Sequence, residues 1–416
     1  MTELVYHGIP SETHAHSQKA NALVQLAFYG FVLSIPLEYP ERTIPVELHT
    51  LTGAMFLGIA LLQPRVCFRR PPAPFWLFIA YLYVWTTLGI LIGVRDGSEF
   101  SSMFVLYVEQ VLLFWTAYNL MRDEFVAKNA LLVFVLSCGV MALLLRAGYL
   151  ESSPEVLAEY EGRLSGLGQN PNILAGNFAL AILTILGLAY GANRKIVRLR
   201  SLYVLLIPLL GICLIHTTSR GGFMALGAGL LAFFLKRGNV RSRVTTLLAV
   251  SLLLLFFVWG SYHTGSLWNR YKKTVETGSM SVREEIFPDA WQMFLERPLT
   301  GWGPVNNNYE LAVRTSEEGR ENLQRDTHNL WLEVFTATGL LGAIPFFAAV
   351  WICCRAAWRA RALTFGILPL VLMIALFVLN LSMNLILSKQ MWLVFAFALA
   401  SGRQTRKIQC PNNFVC

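Results

Sequence analysis

The chain has 416 residues, 55% of them hydrophobic and only 14% charged, with a formal net charge of +9. Soluble domains carry about 45–50% apolar and about 25% charged residues, so a soluble globular protein is excluded and a polytopic membrane protein is expected. The excess of positive charge is spread over alternate loops, a topology signal rather than a nucleic-acid-binding surface.

Residues 1–20 are polar and hold His7, His14 and His16. They form no cleavable signal and read as a tail, with metal binding by the three histidines as the competing reading. Apolar runs of about 20 residues, enough to cross a ~30 Å hydrocarbon core, then recur. They lie near 21–38, 44–63, 75–94, 101–121, 130–149, 172–191, 201–217, 221–236, 244–262, 329–353, 363–384 and 388–402. About twelve transmembrane helices and an all-α polytopic fold are expected. The short pair 201–217 and 221–236 also fits a helical hairpin whose tip stays within the membrane.

Basic residues cluster at 65–70, 122–128, 194–200, 236–243, 355–361 and 403–407. These are alternate connections, as the positive-inside rule requires of cytoplasmic ones, so both termini are placed inside. Two outer connections exceed a tight turn, 150–171 and 263–327. Connections longer than about 12–15 residues are usually functional or disordered. The second holds Trp268, Tyr271, Trp291, Phe294, Trp302 and Tyr309, enough aromatic surface for an ordered cap. A helix is expected over 289–296, ending before Pro298, with a turn over 299–304. The segment 263–327 has eight Lys/Arg and ten Asp/Glu, a net of −2, so any anion site there rests on a few focused arginines.

The candidates are Arg163, Arg220 and Arg283. A guanidinium beside hydrocarbon needs a partner or a watery cavity, and Arg220 follows Ser219 and precedes two glycines. Its forked, permanently charged donors suit a phosphate. Each arginine has a plainer reading: Arg220 snorkelling to headgroups, Arg163 pairing with Glu159 or Glu161, and Arg283 pairing with Glu284 or Glu285. Asn170 and Pro171 mark a helix start just before Asn172.

His328 stands in Asp326-Thr327-His328-Asn329, where the polar stretch meets an apolar helix. With Asp326 or Thr327 as N-cap, His328 falls in the first helical turn. There the helix dipole disfavours imidazolium, leaving the neutral ring that a general base requires. A structural histidine at a helix end is the plainer reading. Glu333 is expected to face the bundle, and Glu109 and Glu47 are membrane or boundary carboxylates that need partners. No metal-ligand spacing accompanies His328. No G-x-S-x-G elbow, P-loop or heptad array occurs either. No metal or cofactor is expected.

The order Arg163-x-Ser-Gly, Asn170-Pro-Asn172, Thr218-Ser-Arg220-Gly, Arg283, Pro298-Leu-x-Gly-x-Gly303 and His328-Asn329-x9-Gly339 resembles the bacterial O-antigen ligase family, within the wider ligase and polymerase superfamily. The resemblance covers roughly 20–400, with its motifs between 163 and 342. It implies a GT-C-like fold in the bacterial inner membrane. Helices 1–9 would lie in 1–262 with a shorter periplasmic loop at 150–171, a large ordered periplasmic loop would occupy 263–328, helices 10–12 would lie in 329–402, and the tail 403–416 would be cytoplasmic. It implies metal-independent transfer of a polysaccharide from undecaprenyl pyrophosphate to a sugar hydroxyl of lipid A–core oligosaccharide, with inversion. The expected partners are that lipid-linked donor, the lipid A–core acceptor and membrane lipids. His328 would be the base or would hydrogen-bond a phosphate oxygen. Arg220, Arg163 and Arg283 would contact pyrophosphate, supported by Ser219, Asn329 and Asn172. An O-antigen polymerase and a protein-glycosylating ligase share the donor. A solute transporter would show internal repeats and midplane breaks, and no repeat is evident.

Overall fold

The computed structural model describes residues 19–37, 47–149, 163–191, 203–235, 283–315 and 324–403, with isolated helical positions between 244 and 272. The polar tail with its three histidines, most of the expected span 244–262, residues 150–162 and the side chain of Arg283 lie outside the described residues.

The described chain is helical throughout. Its helices are α1 (Ala22–Ser34), α2 (Leu48–Ala60), the single turn α3 (Pro64–Cys67), α4 (Ala73–Ile92), α5 (Gly97–Leu120), α6 (Glu124–Arg146) and α7 (Pro171–Leu186). Then come α8 (Leu206–His216), α9 (Arg220–Ala232), α10 (Arg283–Glu296), α11 (Asn306–Thr315), α12 (Leu330–Ala360), α13 (Leu368–Leu379) and α14 (Lys389–Ser401). Among the described residues five helical segments are long and apolar enough to cross a membrane: α4, α5, α6, α7 and α12. Six shorter apolar helices, α1, α2, α8, α9, α13 and α14, pack with them.

Caps set several boundaries. Asn21, Asp96, Asp123, Asn170 and Ser219 each accept from a backbone N–H in the first turn of the helix that follows, satisfying donors the helix cannot. Helices α8 and α9 are joined only by Thr217–Ser219, and Thr218 is left-handed there at φ 50°. That conformation is rare for a β-branched residue.

The connections gather at two ends. At one, Trp115 Nε1 donates to the Arg69 carbonyl, Thr364 Oγ1 to Glu124, and Arg403 to the Tyr118 hydroxyl. This end carries the basic loops. At the other end meet Arg163, the 217–219 turn, α10, α11, the 324–329 segment and the turn between α13 and α14.

Helices α10 and α11 form a cap with its own apolar cluster of Ile286, Ala290, Met293 and Leu311, against which Trp302 packs. The Trp302 indole donates to the Met293 carbonyl at 2.9 Å. Arg314 clamps α10 to α11 through Glu296 (2.6 Å) and Glu310 (2.9 Å). These bonds to Arg314 hold the Glu296 carboxyl below its usual range.

The cap docks on a break in α12. Gly339 has φ 57° and ψ −157°, interrupting the helix. The exposed backbone groups pair with 298–303: Trp302 N–H to Thr336 O (2.8 Å), Gly303 N–H to Ala337 O (3.1 Å), Leu340 N–H to Pro298 O (2.8 Å) and Leu341 N–H to Leu299 O (3.1 Å). A Cβ on Gly301 would lie 2.5 Å from Thr336 O, and one on Gly339 2.4 Å from the Leu299 carbonyl. The spacings Pro298-Leu-x-Gly-x-Gly303 and His328-Asn329-x9-Gly339 are therefore two halves of one backbone contact.

Candidate functional site

Arg163 enters beside the α8–α9 turn, where Leu164 N–H donates to the His216 carbonyl at 3.0 Å. Its guanidinium is fixed twice, through Nε to the Thr217 carbonyl (2.9 Å) and through Nη2 to Asn172 Oδ1 (2.8 Å). Asn172 Oδ1 also accepts from the Ser219 hydroxyl at 2.8 Å. Ser219 in turn caps α9, accepting from Gly222 N–H, and Arg220 is the first residue of that helix. Arg163, Asn172 and Ser219 thus form one hydrogen-bonded network, and Arg220 follows it directly in the chain. Neither Glu159 nor Glu161 lies among the described residues, so the carboxylate pairing weighed for Arg163 is not described.

The two glycines after Arg220 serve helix packing. A Cβ on Gly221 would come 2.2 Å from Ser382 Oγ, and one on Gly222 2.6 Å from the Ala175 Cβ. Their smallness seats α9 on α7 and on the turn between α13 and α14.

That turn links the arginine cluster to the histidine. Leu330 N–H donates to the Asn380 carbonyl at 3.0 Å, and Asn329 Nδ2 reaches the Leu381 carbonyl at 3.4 Å. Asn329 and Gly221 therefore contact neighbouring residues of one turn.

The residue that caps α12 differs from expectation. Asn329 accepts from Trp331 and Leu332 N–H at 2.9 and 3.2 Å, so neither Asp326 nor Thr327 is the N-cap. His328 precedes the cap, left-handed at φ 49°, and is not in the first helical turn. The dipole argument for a neutral ring loses its footing, since that field fades outside the first turn. Beside the ring stands Asp326. One carboxylate oxygen accepts the His328 N–H (3.1 Å) and the other lies 3.6 Å from Nδ1. The His328 side chain is 47% exposed, open to solvent rather than packed as a structural histidine.

Behind this turn lies Glu333, with Oε1 accepting from Asn307 Nδ2 (2.8 Å) and Oε2 from Thr327 Oγ1 (3.1 Å). The other two acids also have partners. Glu109 pairs with Lys389, both buried, and Glu47 lies 3.2 Å from the His49 imidazole. A cavity of about 380 Å3 opens beside Glu333. Among the described residues no group of three or more His, Cys, Asp and Glu is placed to share a metal ion.

Sequence reasoning missed the contribution of Asn380, Ser382, Asn384 and Lys389. The signal was present: this polar run falls at the adjoining ends of two apolar segments, 363–384 and 388–402, the second of which is short for a membrane crossing.

The fold and site define an all-α integral membrane protein whose polar connections converge at one end, away from its basic loops. Residues 204–347 match the family model described as O-Antigen ligase. Over 317 residues the chain is 26% identical to a protein named O-antigen ligase from Pseudomonas aeruginosa, covering 75% of this chain and 72% of that protein. Both comparisons make the chain similar to O-antigen ligases. That likeness and the five long apolar helices together point to an integral membrane protein related to the O-antigen ligases.

Proposed function

We propose that the protein transfers a polysaccharide from undecaprenyl pyrophosphate to a sugar hydroxyl of lipid A–core, at the periplasmic face and with both termini in the cytoplasm. The observation that carries this reading is the convergence of the Arg163–Asn172–Ser219 network, with Arg220 next to it in the chain, and the His328 turn over Asn380–Ser382.

A glycosyl diphosphate already holds a good leaving group, so the enzyme positions the reactants and stabilises departing charge. Arg163 and Arg220 take the diphosphate, beside the N-terminus of α9, where the helix field also favours an anion. Arg283 begins the helix that roofs the site and is the third proposed contact. His328 Nε2 accepts the proton of the acceptor hydroxyl while its oxygen bonds to the anomeric carbon. The bond from that carbon to the diphosphate oxygen breaks, with inversion. Undecaprenyl pyrophosphate leaves with the electron pair.

The test is transfer by purified protein from lipid-linked donor to lipid A–core, comparing wild type with His328→Ala. Loss of about 10²- to 10⁴-fold is expected, the usual contribution of a general base. Wild-type rates in the variant would sink the base assignment. Lengthening of the glycan on its lipid carrier instead would identify a polymerase.

A further inference from the structure

The cavity of about 380 Å3 beside Glu333 has a lining of a particular kind. Its acids are Glu99, Asp326 and Glu333, and its aromatic wall is Tyr81, Trp85 and Tyr107. Asn308, Gln324 and Asn384 add amides, and no Arg, Lys or His lines it among the described residues. A phosphate is therefore unwelcome there. The three carboxylates are also not placed to share a metal ion.

What suits such a lining is a ring with many hydroxyl donors and an apolar face. Each Glu333 oxygen has one protein donor, Asn307 on one side and Thr327 on the other. A carboxyl group has more hydrogen-bonding sites than two donors fill, so each oxygen has room for a further hydrogen bond from the cavity. Trp85 and Tyr107, with ring centroids 5.1 Å apart, stand buried in its wall and give that side of the cavity an apolar backing. Asp326 connects the two places, since it lines the cavity, accepts from the His328 backbone N–H and lies 3.6 Å from the ring nitrogen Nδ1.

We infer that this cavity is the subsite for the acceptor's terminal sugar, and that it takes a neutral or amine-bearing ring rather than a phosphorylated one. The inference rests on the transferase reading above. It divides the site by charge, with the diphosphate on the arginine network and the acceptor ring on the carboxylates. A hydroxyl held by Glu333 and its neighbours then meets the imidazole of His328 beside Asp326.

The test uses full-length protein in nanodiscs and two variants, Glu333→Gln and Asn308→Ala. At saturating donor, Glu333→Gln is expected to raise the KM for lipid A–core about tenfold or more, as loss of a hydrogen bond to a charged group does. Asn308→Ala should raise it about threefold to tenfold, and the KM for donor should stay within about twofold of wild type in both. An unchanged acceptor KM in Asn308→Ala and in folded Glu333→Gln would overturn the subsite, as would a donor KM that rises in parallel. A binding arm uses saturation-transfer NMR with deacylated core oligosaccharide as the probe. Signal weakened in the variants supports the subsite, and signal equal to wild type overturns it. If wild type transfers nothing, the ligase reading fails, and this binding arm alone decides the cavity's role.

Discussion

Replacing Gly339 with alanine should release the cap from the membrane bundle. The backbone there, at φ 57° and ψ −157°, lies close to a region essentially reserved for glycine, where another residue costs about 1–3 kcal/mol. The added Cβ would also sit 2.4 Å from both C and O of Leu299 and 2.6 Å from Thr300 N. These are backbone atoms, which cannot swing aside as a side chain does. Overpacking of this kind adds about 1–3 kcal/mol. Opposing that strain are the four backbone hydrogen bonds across the contact, together worth about 2–6 kcal/mol at roughly 0.5–1.5 each. Strain and attachment are of equal size, so opening competes with closure and a large fraction of molecules should undock.

The assay is limited proteolysis of the 298–315 region in purified protein, run beside the transfer reaction. Cleavage should accelerate about tenfold or more, transfer should fall, and the main thermal transition should move only a few degrees. Gly301→Ala, on the other side of the contact, should behave alike. Gly227→Ala is the control, since a Cβ there meets nothing within 4 Å. A Gly339→Ala protein with wild-type protease resistance and transfer would refute the docking argument.

Asn172→Ala removes the acceptor shared by Arg163 and Ser219. The KM for donor should rise about tenfold while Arg163 stays anchored by Thr217; unchanged donor kinetics would remove Asn172 from the site. Lys389→Met strands Glu109 in the interior and should destabilise by about 3–5 kcal/mol, with Glu109→Leu/Lys389→Met recovering most of the loss; additive losses in thermal melts would contradict this. The Glu296 carboxyl is held below its usual 4.5 by Arg314, so its contribution is present above that value and lost as pH falls through the lower folded one. Cap protease resistance should be level from pH 5 to 8 and fall below about pH 4, and the step should vanish in Arg314→Met.

The expected spans between residues 21 and 236 and beyond 329 find helices near their places because composition decides them: twenty apolar residues without charge have few alternatives in a bilayer. The capping residue Asn170 was equally legible, being local. What the sequence did not disclose is tertiary. The two glycines after Arg220 stand out in the sequence, but not that their smallness admits Ser382 and Ala175. The cap of α12 was misplaced because Asp326, Thr327 and Asn329 are all good cap residues, and only the fold chooses among them. The pairing of 298–303 with Gly339 joins segments some forty residues apart, so spacing showed two motifs without showing that they touch.

The turn between α13 and α14 explains why these distant motifs converge. Helices of 12 and 13 residues rise about 18–20 Å at 1.5 Å per residue, too little to cross a ~30 Å core. Their connection therefore sinks below the outer surface, and non-helical backbone at that depth persists only where protein or a watery cavity satisfies it. Here Asn380 supplies its carbonyl to Leu330 and its side chain to Leu385, Gln110 donates to Leu387, and Trp392 to Ile386. Asn384, Ile386 and Leu387 line the cavity itself. The sunken turn thus serves both halves of the site. Its first residues meet Gly221 and Asn329, and its later ones floor the cavity that Glu333 walls. A diphosphate on the arginines and a sugar in the cavity would be held by one rigid loop, which sets their separation without requiring either substrate to order the protein.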